Sequence, residues 1–185
     1  AWGTHFFIKP LKLGFDMSIS SGTKYFSGHS DVMLGSLSVN KKVYEKVRFC
    51  NKLLGYRASP DDAYLVIRGL RTLDIRLKKH EENTKKIINF LKKEKKIKEI
   101  LYPHKKGTQN YENWKKYYSG ATGLFSIFIY SKNKNSVLKF VNSLKLFGIG
   151  QSWGGFESLV LYQNQYLERV YKKYIKTNHH IVRFQ

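Results

Sequence analysis

The stretch Asp16-Met17-Ser18-Ile19-Ser20-Ser21-Gly22-Thr23-Lys24-Tyr25-Phe26-Ser27-Gly28-His29-Ser30 places a lysine directly behind two hydroxyls at a chain bend. Asp16 to Ser21 reads as a short strand, and Gly22-Thr23-Lys24 breaks it. A strand that ends this way delivers Ser21 and Thr23 to a turn, with Lys24 immediately after them. Hydroxyls and turn amides are suitable donors to a phosphate. A lysine held beside a phosphate and a carbonyl can form a Schiff base, once its ammonium is desolvated enough to lose a proton. Gly28 and its small neighbours let the chain bend away. On chemistry alone, an exposed turn rich in Ser, Thr and Gly is the simpler reading.

Outward from this point the chain alternates strands and helices. On the N-terminal side, apolar residues flank a turn at Leu13-Gly14. On the other side, Val32 to Val39 suggests a second strand, and Lys41 to Leu54 carries Val43, Val47 and Leu54 at helical spacing. Ser59-Pro60-Asp61-Asp62 is a helix start: a capping hydroxyl, proline at the first turn, then acids near the positive end of the dipole. Ala63, Ile67, Leu70, Leu73 and Leu77 continue one apolar stripe, and the helical pattern runs to about Lys93. Gly69 inside it predicts close packing or a kink. Beyond it, strands are expected at Ile97–Tyr102, Gly123–Tyr130, Leu159–Tyr162 and Ile181–Phe184. Helices are expected at Tyr111–Tyr118, Val137–Leu146 and Gln165–Ile175. Interleaved strands and helices argue for an α/β fold.

The Lys24 segment resembles, position for position, the cofactor-attachment signature of the Cys/Met metabolism pyridoxal-phosphate-dependent enzymes. That signature is an acid or amide, a spacer, small residues, Thr-Lys-aromatic-apolar and then Gly-His-Ser. Two further stretches extend the resemblance. Ser59-Pro60-Asp61-Asp62-Ala63-Tyr64 with Arg68-Gly69-Leu70-Arg71-Thr72-Leu73 looks like the family's long helix leaving the large domain. Ser152-Trp153-Gly154-Gly155-Phe156-Glu157-Ser158 resembles its small-domain loop.

The resemblance implies an α/β chain of pyridoxal-phosphate fold type I, the aspartate-aminotransferase-like fold. Residues 1–60 would be the C-terminal part of the large cofactor-binding domain. Residues 61–93 would form a long connecting helix, and residues 94–185 the small domain, cut short at its end. It further implies a fragment of a longer enzyme, since the aspartate that pairs with the cofactor's ring nitrogen would lie three residues before Trp2, just upstream of Ala1. The complete protein would be a cytoplasmic homotetramer built from catalytic dimers.

By the same resemblance, pyridoxal 5'-phosphate is the cofactor, Lys24 carries it and acts as the catalytic base, and Ser21 and Thr23 hold its phosphate. Ser152, Trp153 and Arg183 would meet the substrate, with Arg183 on its carboxylate. Arginine suits that task because its planar fork donates two parallel hydrogen bonds. Trp153 is typical of the bacterial cystathionine β-lyase branch, which implies β-elimination of cystathionine to homocysteine, pyruvate and ammonia in methionine biosynthesis. A γ-synthase, a γ-lyase or a cysteine desulfhydrase are the alternatives within the family. Gln151 departs from the tyrosine that relatives often place before the Ser-Trp pair. His29 fits the signature as a structural residue, and His179-His180 lacks companions for a metal site.

Bulk composition leaves one competing class. The chain has 185 residues and a formal net charge of +21, the footprint of many nucleic-acid binders. The charge is mostly lysine, spread along the chain, with no zinc-finger spacing, RNP-like box or arginine-rich arm. A solvated lysine surface is therefore preferred to a nucleic-acid-binding module, and an inactive remnant is the third reading. No apolar run is long enough to span a bilayer, and Cys50, the single cysteine, has no intrachain partner.

Overall fold

The computed structural model describes residues 2–103, 106, 109–163 and 179–185. The chain divides into two compact units. The first comprises Ala1–Leu77, Lys115–Ala121 and Gly154–Phe156; the second comprises Lys78–Trp114, Thr122–Trp153 and Glu157–Gln185.

In the first unit a helical turn α1 (Thr4–Phe7) and a 3-10 turn (Pro10–Leu13) lead into strand β1 (Met17–Ser21). Gly14 closes the 3-10 turn at φ +94°, a conformation that glycine adopts without steric cost. β1 pairs antiparallel with β2 (Gly35–Val39), from Met17 opposite Val39 to Ser21 opposite Gly35. A π-turn over Gly22–Phe26 opens the connection between the two strands, and it contains Lys24. The strand alternation turns Ser18 and Ser20 inward and leaves Met17, Ile19 and Leu37 exposed.

Two capped helices follow. α2 (Lys41–Leu54) begins where the Asn40 side chain accepts from the Val43 amide, and Gly55 ends it at φ +69°. α3 (Pro60–Leu70) begins with Ser59 accepting from the Asp62 amide at 3.0 Å, followed by Pro60 and two acids. The helical pattern expected to run from residue 61 to residue 93 is realised as two helices. α4 (Leu73–Leu91) starts after a turn at Arg71-Thr72. The break has a local cause. The Gly69 carbonyl, which would continue the helix, instead accepts from the Thr72 amide, the Thr72 hydroxyl and the Arg76 guanidinium.

The second unit is built on a five-stranded sheet in the order β3 (Ile97–Leu101), β4 (Phe125–Tyr130), β7 (His179–Phe184), β6 (Leu159–Tyr162) and β5 (Gly148–Ile149). All pairings are antiparallel except β5 with β6, so the sheet is mixed and the chain is α/β. Along β4 the residues Phe125, Ile127 and Ile129 are buried, and Phe125 stacks on Phe184 of β7 with ring centroids 5.3 Å apart. Val137 and Val141 of α6 (Lys134–Ser143) and Ile88 and Leu91 of α4 add to the buried apolar set. The Thr84 hydroxyl donates to the Gly123 carbonyl at 3.2 Å, satisfying a buried acceptor. α5 (Gln109–Tyr117) lies close to its expected bounds. The helix expected at residues 165–175 lies outside the described residues. Strand β5 was not expected, because two residues are too short to show a period.

Candidate active site

Lys24 sits inside the π-turn with φ −91° and ψ −123°, which departs from the helical values around it. Such single-turn widenings of a helix recur at functional sites. The turn is closed from within. The Ser27 amide donates to the Gly22 carbonyl at 3.0 Å, and the Gly28 amide to the Lys24 carbonyl at 2.9 Å. The fully buried Ser27 hydroxyl donates to the Thr23 carbonyl at 3.1 Å. Lys24 itself is half-buried, between buried Gly22 and buried Tyr25.

Thr23 also has structural work. Its Oγ1 accepts from the Leu34 amide at 2.9 Å, while its own amide donates to the Leu34 carbonyl at 3.2 Å. The hydroxyl proton faces that same carbonyl only at 3.4 Å, long enough for a better acceptor to claim it. Ser21, also half-buried, makes no side-chain hydrogen bond among the described residues. Gly22 is required here, because a Cβ would lie 2.7 Å from Leu34 Cδ2 and 3.0 Å from the Leu34 carbonyl oxygen. Two redirectable hydroxyls, a tight glycine turn and a half-buried amine form a donor set that fits pyridoxal phosphate.

Three holding groups around the turn were not singled out from the sequence. Arg76 donates to the Tyr25 carbonyl at 2.8 Å, the Phe26 carbonyl at 3.3 Å and the Gly69 carbonyl at 2.7 Å, and burial pushes its pKa down. His5 meets Ser18 Oγ through Nε2 at 2.6 Å and Ser20 Oγ through Nδ1 at 3.4 Å, with its ring beside Phe26. Burial, followed by neighbouring positive charge including Lys9, lowers the His5 pKa. Asp31 pairs with Arg68 at 3.1 Å, an exposed contact of small energetic weight. An arginine four residues past a helix-starting threonine is the one signal that could have pointed to Arg76. His29 is exposed and its Nδ1 lies 2.6 Å from the Ser27 carbonyl, a local turn contact.

The residues expected to meet the substrate gather in the second unit. Arg183 of β7 donates to the Gln151 carbonyl at 2.5 Å and lies 3.5 Å from the carbonyls of Gly150 and Ser152. Its guanidinium sits over the Trp153 ring, 5.6 Å from the centroid. Burial lowers the Arg183 pKa. Ser152 is exposed and Trp153 half-buried. The next residue, Gly154, belongs to the first unit. It has φ +84°, and its absent Cβ would lie 2.6 Å from the Tyr25 nitrogen and 2.9 Å from the Lys24 carbonyl carbon. The loop after Trp153 thus seats its backbone on the Lys24–Tyr25 peptide, which only a glycine permits.

Comparison with known proteins shows the family of the chain. The family described as Cys/Met metabolism PLP-dependent enzyme matches residues 1–184. The cystathionine beta-lyase of Escherichia coli strain K12 is 36% identical over 161 residues, covering 86% of this chain and 41% of that enzyme. The L-alanine/L-glutamate racemase of Wolbachia pipientis wMel is 38% identical over 164 residues, covering 87% of this chain and 40% of that protein. Among solved structures, a cystathionine gamma synthase from Xanthomonas oryzae pv. oryzae in complex with cystathionine superposes with a TM-score of 0.86 at 29% identity. It covers 96% of this chain and 47% of its own. The chain therefore spans less than half the length of these relatives. Among the described residues, no helix is long and apolar enough to cross a membrane.

Proposed function

Because this chain belongs to the family of Cys/Met metabolism pyridoxal-phosphate-dependent enzymes, we propose that it supplies the cofactor lysine and the carboxylate-binding arm of a carbon–sulfur lyase. The proposed reaction is β-elimination of L-cystathionine, with water, to homocysteine, pyruvate and ammonia. On this reading the complete protein is a cytoplasmic tetramer of catalytic dimers. One observation supports it most. Gly154 lies against the Lys24–Tyr25 peptide, so Trp153, the residue typical of the β-lyase branch, is one peptide bond from the cofactor lysine's neighbourhood.

Ser21 and Thr23 would donate their hydroxyl protons to the cofactor's phosphate, and Lys24 would hold its carbonyl carbon covalently. When bound, pyridoxal phosphate supplies an electron sink for the pair left at the substrate's α-carbon. Lys24 Nζ, when free of the cofactor, would remove the substrate's α-proton and then, as an acid, deliver a proton to the departing sulfur. Arg183 would bind the substrate carboxylate, with Trp153 beneath its guanidinium and the Ser152 segment beside it. Arg183 donates to backbone carbonyls, so carboxylate binding would exchange one acceptor for a stronger one.

A second reading rests on the similarity to the Wolbachia racemase. A lysine that takes the α-proton and returns it to the opposite face would racemise an amino acid without eliminating anything. The full-length protein incubated with L-cystathionine separates these outcomes. Pyruvate with homocysteine supports the β-lyase, and 2-oxobutyrate with cysteine assigns a γ-lyase. Loss of optical activity from L-alanine without keto acid assigns a racemase. Borohydride trapping followed by peptide mapping tests Lys24 itself: an unmodified Lys24 in folded protein refutes the cofactor assignment.

A further inference from the structure

Resting on the assignment of Lys24 as the cofactor lysine, we propose that Arg76 is a positioning residue for it, fixing the backbone that aims its amine. The π-turn ends with carbonyls that have no helical partner, as every helix end does. Arg76 supplies the donors. Nη1 meets the Tyr25 carbonyl at 2.8 Å and Nη2 the Phe26 carbonyl at 3.3 Å, the two peptides that follow Lys24. Nη2 also meets the Gly69 carbonyl at 2.7 Å, and Nε is held by the Thr72 hydroxyl at 3.0 Å. One planar cation thus joins the Lys24 turn to the end of α3 and the start of α4.

Two glycines make room for this device. Gly28 stands at φ +69°, where a Cβ would lie 2.2 Å from Arg76 Nη1. At Gly69 a Cβ would lie 2.3 Å from the Phe26 carbonyl oxygen. Both absent side chains therefore border the same carbonyl–guanidinium cluster. Because Lys24 has to serve the α-carbon and then the leaving sulfur, small displacements of its backbone should lower turnover more than binding. Arg76 touches neither substrate nor cofactor on this account and acts only through the turn.

The test uses full-length protein carrying Arg76→Lys and, separately, Thr72→Val. A lysine keeps the charge but offers a single point in place of a fork spanning three carbonyls. The expected result for Arg76→Lys is a fall in kcat of roughly 10- to 100-fold with KM within about twofold. Circular dichroism in the absorption band of the lysine-bound cofactor should change, because that signal reads the asymmetry around Lys24. Thr72→Val, which removes the acceptor of Nε and one of the three donors on the Gly69 carbonyl, should shift both readings in the same direction by a smaller factor while the protein still folds. Wild-type kcat and an unchanged cofactor-band signal in the folded variants would overturn the proposal. If Arg76→Lys does not fold, Thr72→Val decides alone. A borohydride adduct on Lys24 of the wild type, measured alongside, separates failure of the Arg76 role from failure of the underlying cofactor assignment.

Discussion

Gly69 and Ser27 approach so closely that a methyl group on Gly69 would lie 2.2 Å from the Ser27 carbonyl oxygen. Two effects oppose each other if that methyl is added. Alanine in a helix interior is favoured over glycine by about 1 kcal/mol, whereas overpacking against fixed backbone costs about 1–3 kcal/mol. The contact is with carbonyls already engaged by Arg76 and His29, so overpacking should win. Gly69→Ala is expected to lower stability by up to about 2 kcal/mol in urea unfolding. A stability gain would show that the α3 contact yields freely.

Lys24→Ala should remove the borohydride-trapped adduct and reduce turnover about 10,000-fold, the upper end for loss of a general acid–base group. Mapping of the trapped peptide and steady-state keto-acid release check this together. Residual turnover near the wild-type level would assign the proton transfers to another group.

Arg183 and Trp153 should separate by magnitude. Charge-assisted hydrogen bonds contribute about 1.5–3 kcal/mol, so Arg183→Leu should raise KM for the amino-acid substrate by roughly 10- to 150-fold. Trp153→Leu removes a cation–π contact of about 0.5–1 kcal/mol, which corresponds to a two- to fivefold rise. Equal effects of the two changes, measured by initial rates, would contradict the view that Trp153 supports Arg183.

Acid should destabilise the first unit through His5. Its folded-state pKa lies below the ordinary value, so the unfolded chain takes up the proton first as pH falls. The His5 contribution is fully present above the ordinary histidine range and is lost as pH drops from there through the folded pKa. His5→Gln keeps hydrogen-bonding capacity without titrating, and its melting temperature should fall less than the wild type's over that window. Parallel curves for the two proteins would remove His5 from the acid response.

The sequence exposed the lysine turn because its chemistry is local: strand, hydroxyls, glycine and lysine follow one another along the chain. The cap at Ser59 and the glycine at residue 69 were legible for the same reason. Arg76 was not, since its partners Tyr25 and Phe26 lie far upstream and only its spacing from Thr72 sets it apart from a surface arginine. The break between α3 and α4 was hidden similarly. The apolar stripe from Ala63 to Leu77 runs through it without losing phase, while the carbonyl rearrangement at Gly69 depends on tertiary partners. In β1 the serines rather than Met17 and Ile19 face His5, an orientation that alternation alone cannot assign.

The grip on Lys24 also fixes an order of assembly on the ribosome. Arg76 reaches Tyr25 across 51 residues, and Gly154 closes against the same peptide about 130 residues after Lys24. At about 5–20 residues per second, that interval is roughly 7–26 s of synthesis. The nascent lysine segment therefore stays unset until residue 154 has been added, well after its own strand and helix neighbours are made.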